Sequence, residues 1–352
     1  MKPQPIHKRF LDLSLLLVLA LSFAACSSPA PAGTATGSTK APPPKEVRVA
    51  YFANLTHIQP LVGMQRGTFQ QELGTVVVKP TVFNAGPAEI EAIFAGSIDI
   101  GYIGPSPAVN GYIKSNRAAL RVVAGAMSGG ASLVVRPDAG ITTPESLKGK
   151  RLASPQLGNT QDVALRYYLK DHGLKTVDEG GDVRVINISN SDILTLFQRK
   201  EVDGAWVPEP WVARLVNEAG GKLFLDERDL WPNGRFATTV VVVRKDFLDK
   251  YPDVVSQWLK AHVEVSQWIK DHPEEAKAVV SEELKKLTGA TLPPEVLMQS
   301  LGRMSVETDP MVDSIKIGAE HSHALGFLGT QKLDLGDLYD SRPLEAVTNG
   351  KP

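Results

Sequence analysis

Cysteine is almost absent from this sequence, which has one cysteine among 352 residues. A chain with a single cysteine forms no internal disulfide and offers no cysteine-based zinc cluster. The sequence also lacks a Gly-x-Ser-x-Gly elbow, a P-loop and a zinc-spaced set of histidines and cysteines. His321 and His323 come nearest to a metal pair, but residues two apart on a helix diverge. We therefore expect no catalytic residue, no cofactor and no metal.

Net charge is also nearly absent, because 38 Lys and Arg stand against 39 Asp and Glu, for a formal charge of −1. This balance argues against a protein that binds nucleic acid by electrostatic attraction. The composition is 43% hydrophobic and 22% charged, which is typical of a globular protein. The length allows two domains or lobes.

The longest apolar run lies near the N-terminus and is shorter than the ~20 residues that span a membrane. It covers residues 11–23, follows a basic start and ends in Leu-Ser-Phe-Ala-Ala-Cys. The small residues before Cys26 resemble a bacterial lipobox, whose cysteine is lipidated; a conventional cleaved signal peptide is the alternative. We predict a lipoprotein signal peptide at 1–25. The region 26–45 has few large apolar residues and is predicted to be a flexible, lipid-anchored tether.

From residue 46 onward, strand patterns alternate with helix patterns, which predicts an α/β protein with parallel sheets. The segment from Phe94 to Pro107 resembles the segment from Phe197 to Pro210. In both, prolines stand 11 and 13 residues after the phenylalanine. Two similar α/β lobes would enclose a cleft, and open α/β sheets bind ligands at the carboxyl ends of their strands. The chain then becomes helical, with one helix predicted at 293–304.

One stretch, residues 153–173, reads as a strand end, a polar turn and a helix. Asn159 precedes Asp162 by three residues, which is capping-box spacing, and Gly173 stands where a C-terminal cap belongs. Free N–H groups at this helix start favour an anion. They are expected on Gly158, Asn159, Thr160 and Gln161. Asp162 lies at the same helix end and takes up part of its positive potential, so the ligand's charge stays open.

These motifs, in this order, resemble the solute-binding proteins of bacterial ABC importers, and specifically the nitrate, taurine and aliphatic sulfonate-binding group. The segments that carry the resemblance are Asn54-Leu-Thr-His, Asn84-Ala-Gly-Pro, Gly96-Ser-Ile-Asp-Ile-Gly-Tyr-Ile-Gly-Pro-Ser-Pro-Ala, Ser128-Gly-Gly-Ala-Ser, Leu147-Lys-Gly-Lys, Gln156-Leu-Gly-Asn-Thr-Gln-Asp and Val207-Pro-Glu-Pro-Trp. The resemblance implies an α/β, two-lobed periplasmic-binding-protein-like (type II) fold with an interlobe ligand cleft. It further implies that 46–134 plus 238–345 form lobe 1 and that 135–237 form lobe 2.

The resemblance also implies a function without a chemical step, so no enzyme is expected. A small organic anion of the aliphatic sulfonate, taurine or nitrate type would be captured by hinge closure. Expected partners are the transmembrane permease subunits with their ATPase and the membrane, through a lipid on Cys26. The protein would be a monomer in the periplasm or at the cell surface and would not bind nucleic acid. One alternative is the same importer role for a thiamine-pyrimidine or flavin-like ring. The other is a pyrimidine-synthase-like enzyme, which the missing cysteine motif disfavours.

Carried over motif by motif, the resemblance implies ligand contacts at Asn54, His57, Ser106, Ser128, Gly129 and Gly130 in lobe 1, and at Gly158, Asn159, Thr160, Gln161, Asp162, Glu209 and Trp211 in lobe 2. His57 is either a donor to the anion or a surface or capping histidine. Glu209 would repel a sulfonate and favour a ligand with a donor, unless it bonds to the backbone or to Arg214 outside the cleft. Trp211 offers an apolar face to the ligand or packs at the hinge. Arg235 is an alternative anion partner and equally well a surface residue.

Overall fold

The computed structural model describes residues 41–349. The predictions for the signal peptide at 1–25, for lipidation of Cys26 and for most of the tether lie outside the described residues. No helix within residues 41–349 is long and apolar enough to cross a membrane. The strands of this region form a six-stranded sheet A and a five-stranded sheet B.

Sheet A, the sheet of lobe 1, combines early and late strands. In spatial order it contains β11 (Met304–Val306), β4 (Leu120–Gly129), β10 (Ala237–Arg244), β3 (Ile100–Ile103), β1 (Glu46–Phe52) and β2 (Val77–Phe83). β1 is parallel to β2 and β3, whereas β10 is antiparallel to β3 and β4. The prediction of purely parallel sheets is therefore wrong, because β10 enters sheet A from the opposite end when the chain returns from sheet B.

Sheet B, the sheet of lobe 2, contains β7 (Arg184–Asn187), β6 (Arg151–Ser154), β8 (Gly204–Pro208), β5 (Ala131–Val135) and β9 (Lys222–Asp226). β6 is parallel to β7 and β8, and β5 is antiparallel to β8 and β9. The change of sheet comes at Gly130, whereas the expected division at 134/135 falls inside β5. Gly129 and Gly130 have φ values of +75° and +78°, a conformation that favours glycine and that turns the chain between the sheets. On the return, β10 begins one residue before the expected position 238.

The helices fall into three groups along the chain. Lobe 1 begins with α1 (Ile58–Arg66), α2 (Thr68–Leu73), α3 (Gly86–Phe94) and α4 (Pro105–Lys114), and lobe 2 has α5 (Thr160–Asp171), α6 (Asn190–Gln198) and α7 (Trp211–Ala219). The last group is α8 (Lys245–Lys250), α9 (Pro252–Asp271), α10 (Pro273–Thr288), α11 (Pro294–Leu301), α12 (Val312–Ala324) and α13 (Arg342–Thr348). The helix predicted at 293–304 stops at Leu301 because Gly302 follows it and Met304 enters the edge strand β11.

Successive side chains of β1 alternate between the two faces of sheet A, which explains why lobe 1 has apolar layers on both faces. Val49 and Tyr51 join one buried cluster together with Trp258 of α9, whereas Ala50 and Phe52 join another. Successive residues of a strand point to opposite faces, so one short strand anchors both layers. The carboxyl end of β1 is thereby fixed at the edge of the interlobe cleft.

Candidate ligand-binding cleft

A small cavity, here called the inner chamber, lies between the two sheets. Its lining residues are Phe52, Asn54, Thr56, His57, Asn84, Gly104 and Thr238 from lobe 1 and Asn159, Thr160, Gln161, Asn190 and Pro208 from lobe 2. Several of them end or follow parallel strands, which is where open α/β sheets bind ligands. None of these lining residues is an aspartate, a glutamate, a lysine or an arginine. The chamber is therefore polar without carrying a fixed charge.

The two lobes touch at the rim of the inner chamber, so the cleft is closed. The indole N–H of Trp211 donates to Asn54 Oδ1 at 2.9 Å, and the backbone N–H of Gly86 donates to Asn159 Oδ1 at 3.4 Å. A Cβ placed on Gly104 would lie 2.3 Å from Thr160 Oγ1 of lobe 2. Only glycine permits the lobes to approach this closely at position 104.

Asn159 begins α5 as predicted, but its side chain does not cap the helix. Its Nδ2 donates to Gln161 Oε1 at 2.9 Å, and its Oδ1 faces lobe 1. The capping-box prediction is wrong because the side chain of Asp162 turns into lobe 2 instead of back to Asn159. Asn159 therefore joins the lobes and orients the side-chain amide of Gln161.

Asp162 is fully buried and does not line the inner chamber. Its carboxylate accepts the Gly158 N–H at 2.9 Å and pairs with Arg166 at 3.0 Å. The Asn159 N–H donates to the carbonyl of Gln156 at 3.1 Å. Two of the four N–H groups that we expected to be free are thus used locally, and the charge of Asp162 is balanced by Arg166 rather than opposing the ligand.

Two polar atoms in the chamber wall have no hydrogen-bond partner among the described residues: Thr160 Oγ1 and Asn190 Oδ1. Their residues are only 8% and 7% exposed. An unpaired buried polar group costs about 1–3 kcal/mol, so native structures rarely leave one without a partner. The two atoms are therefore open to a polar partner that enters the chamber. The sequence motifs did not point to Asn190, although it opens α6 after β7 as Thr160 opens α5 after β6.

His57 is 2% exposed, so the interpretation as a surface histidine is wrong. The backbone N–H of Phe52 donates to His57 Nδ1 at 3.3 Å, which places the proton of the neutral ring on Nε2. Burial lowers the pKa of His57 to about 3. His57 can therefore offer a ligand one uncharged N–H group, but not a positive charge.

Four predicted contacts of lobe 1 do not line the inner chamber: Ser106, Ser128, Gly129 and Gly130. Ser128 Oγ accepts the Phe236 N–H at 3.2 Å, and the Gly130 carbonyl accepts the Glu209 N–H at 2.8 Å. The first bond joins the segments of the two interlobe crossings, and the second joins the crossing at Gly130 to the end of β8. Ser106 is buried in the first turn of α4.

Glu209 is also absent from the chamber wall, although it is fully buried. Its carboxylate accepts from Arg303 Nη1 at 2.6 Å, from Ser300 Oγ at 2.8 Å and from the Ala213 N–H at 3.1 Å. Burial raises the pKa of Glu209, and the charge of Arg303 opposes that rise. The repulsion that we expected between Glu209 and a sulfonate is therefore offset by Arg303.

Trp211 lies in a second cavity, here called the outer chamber, whose volume is about 390 Å³. The guanidinium of Arg214 lies over its ring, 4.6 Å from the centroid. The proposed bond between Glu209 and Arg214 is wrong, because Arg214 pairs with Glu218 at 2.9 Å. The outer chamber shares Phe52, Asn54, Asn84 and Asn190 with the inner chamber.

Arg235 and the C-terminal histidines lie elsewhere. Arg235 pairs with Glu307 and Asp309, each at 3.1 Å, and does not line the inner chamber. His321 stacks on Tyr167 with ring centroids 3.5 Å apart. Residues 41–349 contain no group of three or more His, Cys, Asp or Glu that could hold a metal ion.

Two bacterial proteins are similar to this chain in sequence. The taurine-binding periplasmic protein of Escherichia coli (strain K12) is 30% identical over 213 residues, or 60% of this chain and 63% of that protein. The putative aliphatic sulfonates-binding protein of Bacillus subtilis (strain 168) is 25% identical over 222 residues, or 61% and 63%. The chain therefore spans less than two thirds of the length of these relatives.

The fold matches a solved structure over most of both chains. The alkanesulfonate-binding protein SsuA from Xanthomonas axonopodis pv. citri, bound to MOPS, has a TM-score of 0.68 and 21% identity, covering 82% of this chain and 96% of that one. The prediction of a two-lobed α/β periplasmic-binding-protein fold is thereby confirmed. A family model described as the NMT1-like family matches residues 40–283, which include both interlobe crossings and the whole inner chamber. The chain belongs to the NMT1-like family.

Proposed function

We propose that this protein is the extracytoplasmic solute-binding component of an ABC importer and holds the oxyanion head of a small organic solute in the inner chamber. The observation that carries the proposal is the unpaired, buried Thr160 hydroxyl inside a closed interlobe cavity. Hydrogen bonding to a ligand would remove this unfavourable feature of the ligand-free closed form.

The chemistry of the chamber wall fits an oxyanion. The ring N–H of His57, the hydroxyl of Thr160 and the side-chain amide of Gln161 are neutral donors that line it. Hydrogen bonds to an anionic acceptor are stronger than those between neutral groups. The first N–H groups of α5 add the positive end of a twelve-residue helix. Several neutral dipoles stabilise the anion without a fixed cation that would slow its release.

A sulfonate is the oxyanion that the relatives favour, since one is named as taurine-binding, another as aliphatic sulfonates-binding and the solved neighbour as alkanesulfonate-binding. Closure of the lobes about the crossing at Gly129 and Gly130 would trap the solute for delivery to permease subunits and their ATPase. Trapping and release involve no chemical step, so the protein is not an enzyme. We further propose that it acts as a monomer, anchored by a lipid on Cys26 in the periplasm or at the cell surface.

Replacing Thr160 with valine is expected to weaken methanesulfonate binding about tenfold, because one hydrogen bond to a charged group is lost, worth ~1.5 kcal/mol. The side chain keeps its shape and the ligand-free protein loses an unpaired hydroxyl, so its melting temperature should not fall. Isothermal titration calorimetry and thermal unfolding measure both quantities. Thr160→Ser, which restores the hydroxyl, is the matched control and should bind within about threefold of the unchanged protein.

The solute class is tested by a thermal-shift panel with methanesulfonate, taurine, longer alkanesulfonates, nitrate, and pyrimidine and flavin-like rings. At least one sulfonate is expected to raise the melting temperature of the protein. If only a ring compound does so, the importer role stands but the oxyanion head is wrong. If no solute does so and a substrate is turned over, the binding-protein proposal fails.

The affinity for methanesulfonate is expected to stay constant between about pH 5.5 and pH 8, because His57 remains neutral when its pKa is about 3. A histidine with the ordinary pKa of about 6.5 would gain a charge as the pH falls and would bind an anion more tightly. Calorimetric titrations at half-unit pH steps measure this dependence. A severalfold gain in affinity from pH 7 to pH 5.5 would contradict a neutral donor at position 57.

A further inference from the structure

Helix α12 of lobe 1 lies against helix α5 of lobe 2, and two contacts between them are here called the latch. The ring of His321 stacks on the ring of Tyr167, with centroids 3.5 Å apart and planes 11° from parallel. The ammonium of Lys170 donates to the carbonyl of Ala324, the last residue of α12, at 2.6 Å. Tyr167 and Lys170 are three residues apart in α5 and therefore share one face of that helix. The latch joins the two lobes through a single helix pair.

The position of Lys170 makes its bond to α12 favourable. α12 has 13 residues, and the carbonyls at its C-terminal end carry a partial negative charge. The aromatic stack has a further neighbour in Trp231, whose ring centroid lies 6.0 Å from that of His321. Trp231 belongs to the segment that returns the chain from lobe 2 to lobe 1. The latch therefore combines a charge–dipole contact with packed aromatic rings.

The turn that follows α12 reaches lobe 2 at a second place. Phe327 lies 3.7 Å from the position that a Cβ on Gly158 would take. Asn110 of α4 donates from Nδ2 to the Phe327 carbonyl at 3.2 Å, which fixes this turn to lobe 1. Gly158 directly precedes Asn159 and Thr160, which line the inner chamber. The closed arrangement at the inner chamber is therefore accompanied by interlobe contact along α12 and the turn after it.

Each helix of the latch is packed into the core of its own lobe. In α12, Ile315 and Ala319 are 1% exposed and belong to a buried cluster of lobe 1. Ser314 Oγ of the same helix accepts an N–H from β10 at 3.0 Å. In α5, Leu165 and Leu169 belong to a buried cluster of lobe 2. Because each helix is held by its own lobe, opening of the cleft would separate the latch residues.

None of the four latch residues lines the inner or the outer chamber. Such a contact acts on ligand binding only through the equilibrium between the open and closed forms. The apparent affinity is proportional to the fraction of ligand-free molecules that are closed. We propose that the latch stabilises the closed form and thereby sets how tightly and how long the solute is held, without contact to it. The inference rests on the proposed function for the solute, but closure itself can be measured without one.

His321→Ala removes the aromatic stack and is expected to weaken methanesulfonate binding about fivefold, which corresponds to ~1 kcal/mol. The dissociation rate should rise, because the latch holds the lobes together after the solute has bound. His172→Ala is the matched control, since His172 packs on Tyr168 of α5, with ring centroids 4.2 Å apart, but lies in lobe 2 itself. It should leave the affinity within about twofold of the unchanged protein. Calorimetry measures the affinity, and stopped-flow fluorescence measures the dissociation rate.

Lys170→Met removes the charge at the end of α12 and is expected to weaken methanesulfonate binding about threefold. Lys150→Met is its matched control, because Lys150 Nζ donates to the Ala139 carbonyl at 2.7 Å within lobe 2. The double latch variant, which combines Lys170→Met with His321→Ala, should weaken binding roughly 15-fold when the two contacts act independently. The melting temperature of each ligand-free variant should stay close to that of the unchanged protein, since the cores of both lobes are intact.

Distances between the lobes test the latch without a solute. Spin labels are attached at Lys79→Cys in β2 and at Ser191→Cys in α6, two exposed positions, in the full chain with Cys26→Ser. Pulsed electron paramagnetic resonance gives the distribution of distances between the two labels. In the ligand-free protein, the double latch variant should shift this distribution to longer distances, whereas the two control substitutions together should not.

The outcomes separate this inference from the proposed function. A loss of methanesulfonate affinity in the latch variants, but not in their controls, supports the latch. If methanesulfonate binds the double latch variant as tightly as the unchanged protein, or if the controls lose as much affinity, the latch is wrong and the proposed function stands. If no sulfonate binds, the proposed function fails and the label distances decide. Longer distances in the double latch variant then support the latch, and an unchanged distribution overturns it.

Discussion

Replacing Arg303 with methionine is expected to lower the free energy of unfolding by about 3–5 kcal/mol. Glu209 is fully buried, and Arg303 Nη1, 2.6 Å from its carboxylate, provides the countercharge. Methionine retains apolar packing but leaves the carboxylate buried without a cation. The pair also joins lobe 2 to the segment after α11, close to the crossing at Gly130. Urea unfolding followed by tryptophan fluorescence measures the loss.

Two further variants isolate the buried charge as the cause. Arg235→Met removes a half-exposed arginine that pairs with Glu307 and Asp309, and surface pairs of this kind contribute only about 0–1 kcal/mol. Adding Glu209→Gln to Arg303→Met should recover most of the stability, because an amide replaces the uncompensated carboxylate. If Arg303→Met and Arg235→Met lower the free energy of unfolding equally, the buried pair contributes no more to stability than the surface pairs do.

Replacing Gly104 with alanine is expected to weaken ligand binding roughly 30- to 150-fold, from an overpacking cost of ~2–3 kcal/mol. The added methyl would lie 2.3 Å from Thr160 Oγ1 across the cleft, while the next nearest residue, Pro107, is 3.7 Å away. The clash therefore arises when the lobes close and not when lobe 1 folds. Calorimetry gives the affinity, and thermal unfolding without ligand should show a nearly unchanged melting temperature.

Gly318→Ala is the matched control for Gly104→Ala. Gly318 lies within α12, and apart from the adjacent backbone of that helix no atom is within 4 Å of the Cβ that alanine would add. This substitution should leave affinity unchanged and stabilise the helix slightly. Unchanged affinity in Gly104→Ala would mean that the ligand-bound protein does not close as the described structure does.

Local signals located the part of the site that lies on a single helix. The turn before α5 predicted Asn159, Thr160 and Gln161, because a polar turn followed by an amphipathic helix is visible in sequence. The same signals could not assign Asp162, whose side chain bonds within lobe 2. Spacing gives the position of a helix start but not the direction in which each side chain turns.

Long-range contacts account for what the sequence did not reveal. Arg303, the partner of Glu209, lies 94 residues further along the chain. Thr238 reaches the inner chamber only because β10 returns to sheet A. The antiparallel direction of β10 likewise depends on where the chain leaves lobe 2. The division into two α/β lobes was predictable because it follows from repeated strand and helix patterns.

The central position of β10 in sheet A sets an order of assembly. β10 lies between β4 and β3, so β3 and β4 do not pair with each other. They are joined in the sheet only through β10, which begins more than a hundred residues further along the chain. Every strand of sheet B lies between residues 131 and 226, in one continuous segment. Contacts between distant residues form more slowly than local ones. Sheet B of lobe 2 can therefore form completely during synthesis. Sheet A of lobe 1 is completed last, although it contains the first strand.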